Sequence, residues 1–73
     1  MREQIKEILK EVLEMEHIKD DISQNTCDNW DSLSQMALII ELEKMFDVSF
    51  GPEDIAEMKS LDLIEKTIVR KIS

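Results

Sequence analysis

The stretch DNWDSLSQMALIIEL, residues 28 to 42, passes from a polar turn into a strongly apolar run. Asp31 has the side chain of a helix N-cap, which places Ser32 in the first turn of a helix that runs to about Asp47. The run is too apolar for an ordinary one-sided amphipathic helix. On a wheel at about 100° per residue its apolar positions separate into two stripes. Ile39, Leu42 and Phe46, with Leu38 beside them, form the first; Leu33, Met36 and Ile40 form the second, well over 90° away. Only one stripe can face a small helical core. Either the helix is enclosed in the bundle, or the second stripe is an exposed patch available to a partner or ligand.

The flanking sequence is also helical. Ile5, Ile8, Leu9, Val12 and Leu13 recur at helical spacing with Glu and Lys between them, predicting an amphipathic helix over residues 3 to 15. Residues 16 to 30 lose that period and read as a long loop, anchored to the core by Ile18 and Ile22. Gly51-Pro52 marks a turn that opens a short helix to about Met58, with Pro at its first position. Ser60 caps a last helix whose apolar residues are Leu61, Ile64, Ile68, Val69 and Ile72, and Arg70 and Lys71 suit the negative end of its dipole. No strand pattern competes. The expected architecture is all-α: a small bundle of three principal helices plus one short helix, a single domain over residues 1–73, with a long loop between the first two helices. Five methionines and three aromatics suggest a soft core able to shelter a bound chain.

Composition narrows the function. A chain of 73 residues has a small core and no room for a built-in catalytic cleft. Its formal charge of −8 argues against nucleic acid, because phosphate neutralisation needs a basic face, and favours basic partners. The acidity is concentrated in residues 31 to 57, which carry seven acids and one base. Cys27 is the lone cysteine, so no disulfide framework exists. Charges interrupt every apolar group near the N-terminus and no run is long enough to span a membrane, so a cytoplasmic monomer without membrane insertion is expected.

Ser32 would stand where backbone N–H groups lack partners and the helix dipole favours an anion such as a phosphate ester. It could equally be a second capping residue beside Asp31. Asp31-Ser32-Leu33, followed by Leu38, Leu42, Glu43 and Phe46 and then Val48 and Phe50, resembles the acyl carrier protein family over essentially the whole chain. The resemblance implies that Ser32 carries 4′-phosphopantetheine through a phosphodiester, transferred from coenzyme A by a separate phosphopantetheinyl transferase. The terminal thiol of that arm holds acyl groups as thioesters. No catalytic residue or metal site is expected, since Ser32 has no neighbouring base in the sequence; His17 reads as a surface residue and Cys27 as a small packed side chain.

Departures from the family pattern bear on its partners. Asn29 stands where the usual residue is Gly, and is the non-glycine type that best tolerates a left-handed backbone. Trp30 gives a Trp-Asp-Ser-Leu run that resembles free-standing carriers of specialised pathways, with a half-buried or solvent-facing loop anchor as its structural reading. Ser34 and Ala37 replace acids, and Lys44 interrupts the acidic row. The expected recognition surface is Asp31, Leu33, Met36, Ile40, Glu43 and Asp47, met by acyl-transferring or acyl-activating enzymes with basic docking surfaces. The missing acids argue against the ordinary fatty-acid synthase partners.

Two other readings use the same residues. An aminoacyl or peptidyl carrier would employ the same serine and arm, and an unmodified helical interaction module would use the second stripe as a groove with Ser32 merely a cap. A calcium loop starting at Asp21 fails, because Thr26 stands where the turn needs Gly and Ser32 where a bidentate Glu is needed.

Overall fold

The computed structural model describes residues 1–72. The chain forms α1 (Arg2–Leu13), α2 (Ser32–Phe46), α3 (Pro52–Glu57) and α4 (Leu61–Ile72), with no strand among the described residues. Residue 73, included in the expected domain, lies outside the described residues. The all-helical architecture, the long α1–α2 loop and the short α3 match the sequence reading.

Local chemistry sets the helix ends. α1 stops at Leu13 rather than residue 15, because Glu14 turns left-handed at φ 56° and the N–H groups of Glu14 and Met15 fold back onto the carbonyl of Lys10. α2 closes in the same way: Asp47 lies at φ 53°, and its N–H and that of Val48 meet the carbonyl of Glu43. Both devices satisfy carbonyls that a helix end would otherwise leave open. At the start of α2 the Asp31 carboxylate accepts from Ser34 N–H at 2.9 Å. Asp54 Oδ2 accepts from Gly51 N–H ahead of α3, and Ser60 Oγ from Leu63 N–H at the start of α4.

The core is aliphatic. Ile5, Leu9, Leu38, Leu42, Leu61, Ile64 and Ile68 are fully inaccessible, with Leu13 and Ile39 nearly so. Of the methionines only Met58 is fully buried; Met1, Met36 and Met45 are exposed and Met15 is half-buried. The expectation of a methionine-softened interior is therefore corrected: branched aliphatic side chains with few rotamers fill it. Val69 and Ile72, expected among the apolar positions of α4, are about half exposed.

Ile18 and Ile22 anchor the long loop as expected, both buried. Backbone bonds also tie that loop to the α3–α4 junction: Gln24 N–H donates to Lys59 O, Leu61 N–H donates to Ile22 O, and Ser23 forms an isolated antiparallel bridge with Ser60. Cations close the outside. Arg2 on α1 reaches Asp62 and Glu65 on α4, Lys6 meets Asp20 in the loop at 2.6 Å, and Lys71 meets Asp54 on α3 at 2.8 Å. Bonds from Glu65 and then Asp62 push the Arg2 guanidinium pKa further up. Arg2, Lys6 and Lys71 thus connect elements.

Candidate functional site

Ser32 is the first residue of α2 and is exposed. The neighbouring polar groups are engaged with one another. The Ser34 N–H bond holds the Asp31 carboxyl below the usual carboxylate range. Ser34 Oγ donates to the carbonyl of Asn29 at 2.7 Å, which fixes the turn before the helix. Ser34, read from the sequence only as a missing acid, is thus a structural part of the turn.

Two sequence expectations about that turn are corrected. Asn29 is not left-handed, since the positive-φ residues are Glu14 and Asp47. Its side chain instead donates Nδ2–H to the Leu13 carbonyl at 3.1 Å, where the end of α1 offers an open acceptor. Trp30 is neither solvent-facing nor half-buried but 4% exposed, and its indole Nε1–H donates to Gln35 Oε1 at 2.7 Å.

Gln35 was missed by the sequence reading. It is buried on α2, with its amide N–H groups donating to the carbonyls of Ile55 and Met58 at 3.2 Å each. One side chain thus joins the Trp30 turn, α2 and the end of α3. The signal was its register: Gln35 precedes Leu38, Ile39 and Leu42 at helical spacing, and so holds a core position on the first stripe.

The second stripe is exposed, with Leu33 at 81%, Met36 at 57% and Ile40 at 48% of their full accessibility. Met45, which the wheel did not assign, is also exposed. Ser32, Asp31 and Met36 border a surface cleft of about 520 Å³, which Gln24, Trp30, Gln35, Ile55, Ala56 and Lys59 complete. The expected recognition acids stand differently. Asp47 is exposed at the C-cap of α2, whereas Glu43 is half-buried and its carboxylate accepts from Phe50 N–H at 2.9 Å. Glu43 therefore holds the α2–α3 connection.

His17 is exposed, and buried Cys27 donates its thiol hydrogen to Met15 Sδ at 3.6 Å. No cluster of three or more His, Cys, Asp or Glu side chains suited to a metal ion occurs among the described residues, and none of their helices is long and apolar enough to cross a membrane. What the site offers is an exposed primary hydroxyl at the positive end of a fifteen-residue helix, beside a cleft with both polar and apolar walls. That arrangement fits a phosphodiester on the hydroxyl and a flexible chain along the cleft.

Comparison with known proteins agrees with this chemistry. A family model described as a phosphopantetheine attachment site matches residues 3–68. The holo acyl carrier protein from Geobacter metallireducens, solved in solution by NMR, is similar in structure with a TM-score of 0.85 and 26% identity, covering 97% of this chain and 84% of that one. A candidate acyl carrier protein from Mycobacterium tuberculosis shares the fold with a TM-score of 0.84 and 23% identity, covering 94% of this chain and 95% of that one. No curated protein matches the chain.

Proposed function

We propose that this chain, which belongs to the acyl carrier protein family defined by its phosphopantetheine attachment site, carries its 4′-phosphopantetheine arm on Ser32. The exposure of Ser32 at the first position of α2 is the observation that carries the assignment. Ser34, the other hydroxyl of that turn, donates to Asn29 O and is less accessible. In the modification, a bond forms between Ser32 Oγ and the phosphorus next to the pantetheine of coenzyme A. The pyrophosphate P–O bond breaks, adenosine 3′,5′-bisphosphate leaves, and the hydroxyl proton passes to a base of the transferase. The bound arm supplies a thiol for thioester formation.

The chain's own residues present this arm. Asp31 and Ser34 fix the turn, so that the Ser32 hydroxyl projects from a rigid helix end. The protein acts as a single domain and as the substrate and scaffold of partner enzymes, with no catalytic residue of its own. Leu33, Met36 and Ile40 form the apolar docking stripe, and Asp31 and Asp47 contribute negative charge around it. Partners are a phosphopantetheinyl transferase and acyl-transferring or acyl-activating enzymes with basic surfaces. Ser34 and Ala37, where the family usually has acids, favour a specialised biosynthetic pathway over the common fatty-acid one. We place the protein in the cytoplasm as a monomer.

Intact mass after incubation with coenzyme A and a broad-specificity transferase tests this function. One added phosphopantetheinyl group, lost in Ser32→Ala, is expected; a wild-type chain that gains no mass contradicts it and leaves the interaction-module reading.

A further inference from the structure

The cleft beside Ser32 ends at a polar barrier. Gln35 stands one turn along α2, between the cleft and the interior, and is 8% exposed. Its carbonyl accepts from Trp30 Nε1–H at 2.7 Å and, more weakly, from Gln24 Nε2–H at 3.4 Å. Its amide hydrogens meet the carbonyls of Ile55 and Met58, so the side chain uses its full bonding capacity. These bonds hold the α2–α3 seam shut at the point where a chain attached to Ser32 would enter. Behind the seam, Leu38, Met58 and Ile64 are fully inaccessible.

We propose, resting on Ser32 as the attachment point, that Gln35 is a specificity-determining bolt that keeps long acyl chains out of the bundle. The cargo is a short acyl group with a polar or anionic substituent, lodged in the surface cleft. Opening the seam for an alkyl chain strands two carbonyls, an indole N–H and an amide in apolar surroundings, and buried polar groups without partners are strongly disfavoured. A hydrocarbon gains from burial only where it can enter. The cleft is open to solvent along one side and leaves such a chain partly wetted, whereas exposed Lys59 and half-exposed Gln24 on its wall can meet a carboxylate, hydroxyl or amide.

The test loads wild-type protein with butyryl-, succinyl-, octanoyl- and dodecanoyl-phosphopantetheine from the corresponding acyl-coenzyme A compounds, and records NMR shifts and melting temperature for each. Intact mass with a Ser32→Ala control first verifies loading on Ser32; failure there would remove the premise and the proposal with it. The proposal predicts that shift changes stay at the cleft, with the Leu38 and Ile64 methyl groups unmoved, and that the melting temperature does not rise from butyryl to dodecanoyl. Succinyl is expected to shift the Lys59 and Gln24 signals more than butyryl does, a difference lost in Lys59→Ala. Core methyl shifts and a melting temperature that climbs with chain length in the wild type would overturn the bolt. Equal shifts for succinyl and butyryl would overturn the polar-cargo assignment. In the paired variant Trp30→Phe with Gln35→Met, which removes both sides of the indole bond, octanoyl is expected to gain access to the core methyls. A folded variant whose core stays closed to it would also count against the proposal.

Discussion

Trp30 Nε1–H donates to Gln35 Oε1 at 2.7 Å with both side chains buried, which joins the residue two positions before Ser32 to the residue three positions after it. Removing the indole donor in Trp30→Phe leaves a buried carbonyl with only the weak bond from Gln24. The expected cost is about 1–3 kcal/mol. For a domain of this size each kcal/mol lowers the melting temperature by roughly 4–8 °C. Thermal melts followed by circular dichroism check this; a variant that melts with the wild type would show that the bond contributes nothing.

The exposed stripe and the half-buried acid predict opposite phenotypes. Met36→Ala together with Ile40→Ala removes apolar area from a solvent-facing surface, so binding to a cognate transferase or synthase is expected to weaken with the melting temperature nearly unchanged. Glu43→Gln weakens the bond to Phe50 N–H and is expected to lower stability by about 1 kcal/mol. Calorimetric titration and melts of both variants separate the roles. Unaltered affinity in the double variant would exclude the stripe from docking.

Much of this was readable beforehand, and the misses share a cause. Periodicity locates α1 and α4, the Asp31 cap and the Gly51-Pro52 turn locate α2 and α3, and the wheel separates Leu33, Met36 and Ile40 from the core stripe because burial follows a helix face. Periodicity read from apolar side chains alone passes over a polar residue that shares their register and whose bonding partners come close only on folding. Gln35 is that case. Asn29 was misread for a related reason: its residue type signals tolerance of a left-handed turn, but its partner, the Leu13 carbonyl, is sixteen residues away and reaches it only after folding. The end of α1 at Glu14 is missed because Glu14 is not Gly, the usual left-handed cap, whereas α2 ends at Asp47, where the sequence places it.

Acid is expected to weaken the ion pairs between elements. Hydrogen bonds from Lys6 to Asp20 and from Lys71 to Asp54 hold both carboxyls below their ordinary value. A carboxyl whose pKa is lowered by folding adds stability that is complete above its unfolded value, about 3.9, and is lost as pH falls through the folded value. Melting temperature should therefore drop below about pH 4. Asp20→Asn and Asp54→Asn should each flatten that drop, by a small amount because the pairs are partly solvated. An acid limb identical in wild type and both variants would contradict the assignment.

Salt acts on the remaining charge. With a net charge of −8 and the surplus acids on exposed helix faces, self-repulsion opposes the compact state. Raising monovalent salt, or adding divalent cations, is expected to increase the melting temperature, since the few solvent-accessible ion pairs lose less than the repulsion does. A melting temperature that falls or does not move as salt rises would show that the ion pairs from Arg2, Lys6 and Lys71 dominate.

Attachment of the arm to Ser32 is decided by peptide mapping of the protein after transferase treatment with coenzyme A. The phosphopantetheinyl group is expected on Ser32 alone, with unmodified Ser34 in the same peptide. A group found on Ser34, or a peptide spanning residues 28 to 42 without any added mass, would contradict it.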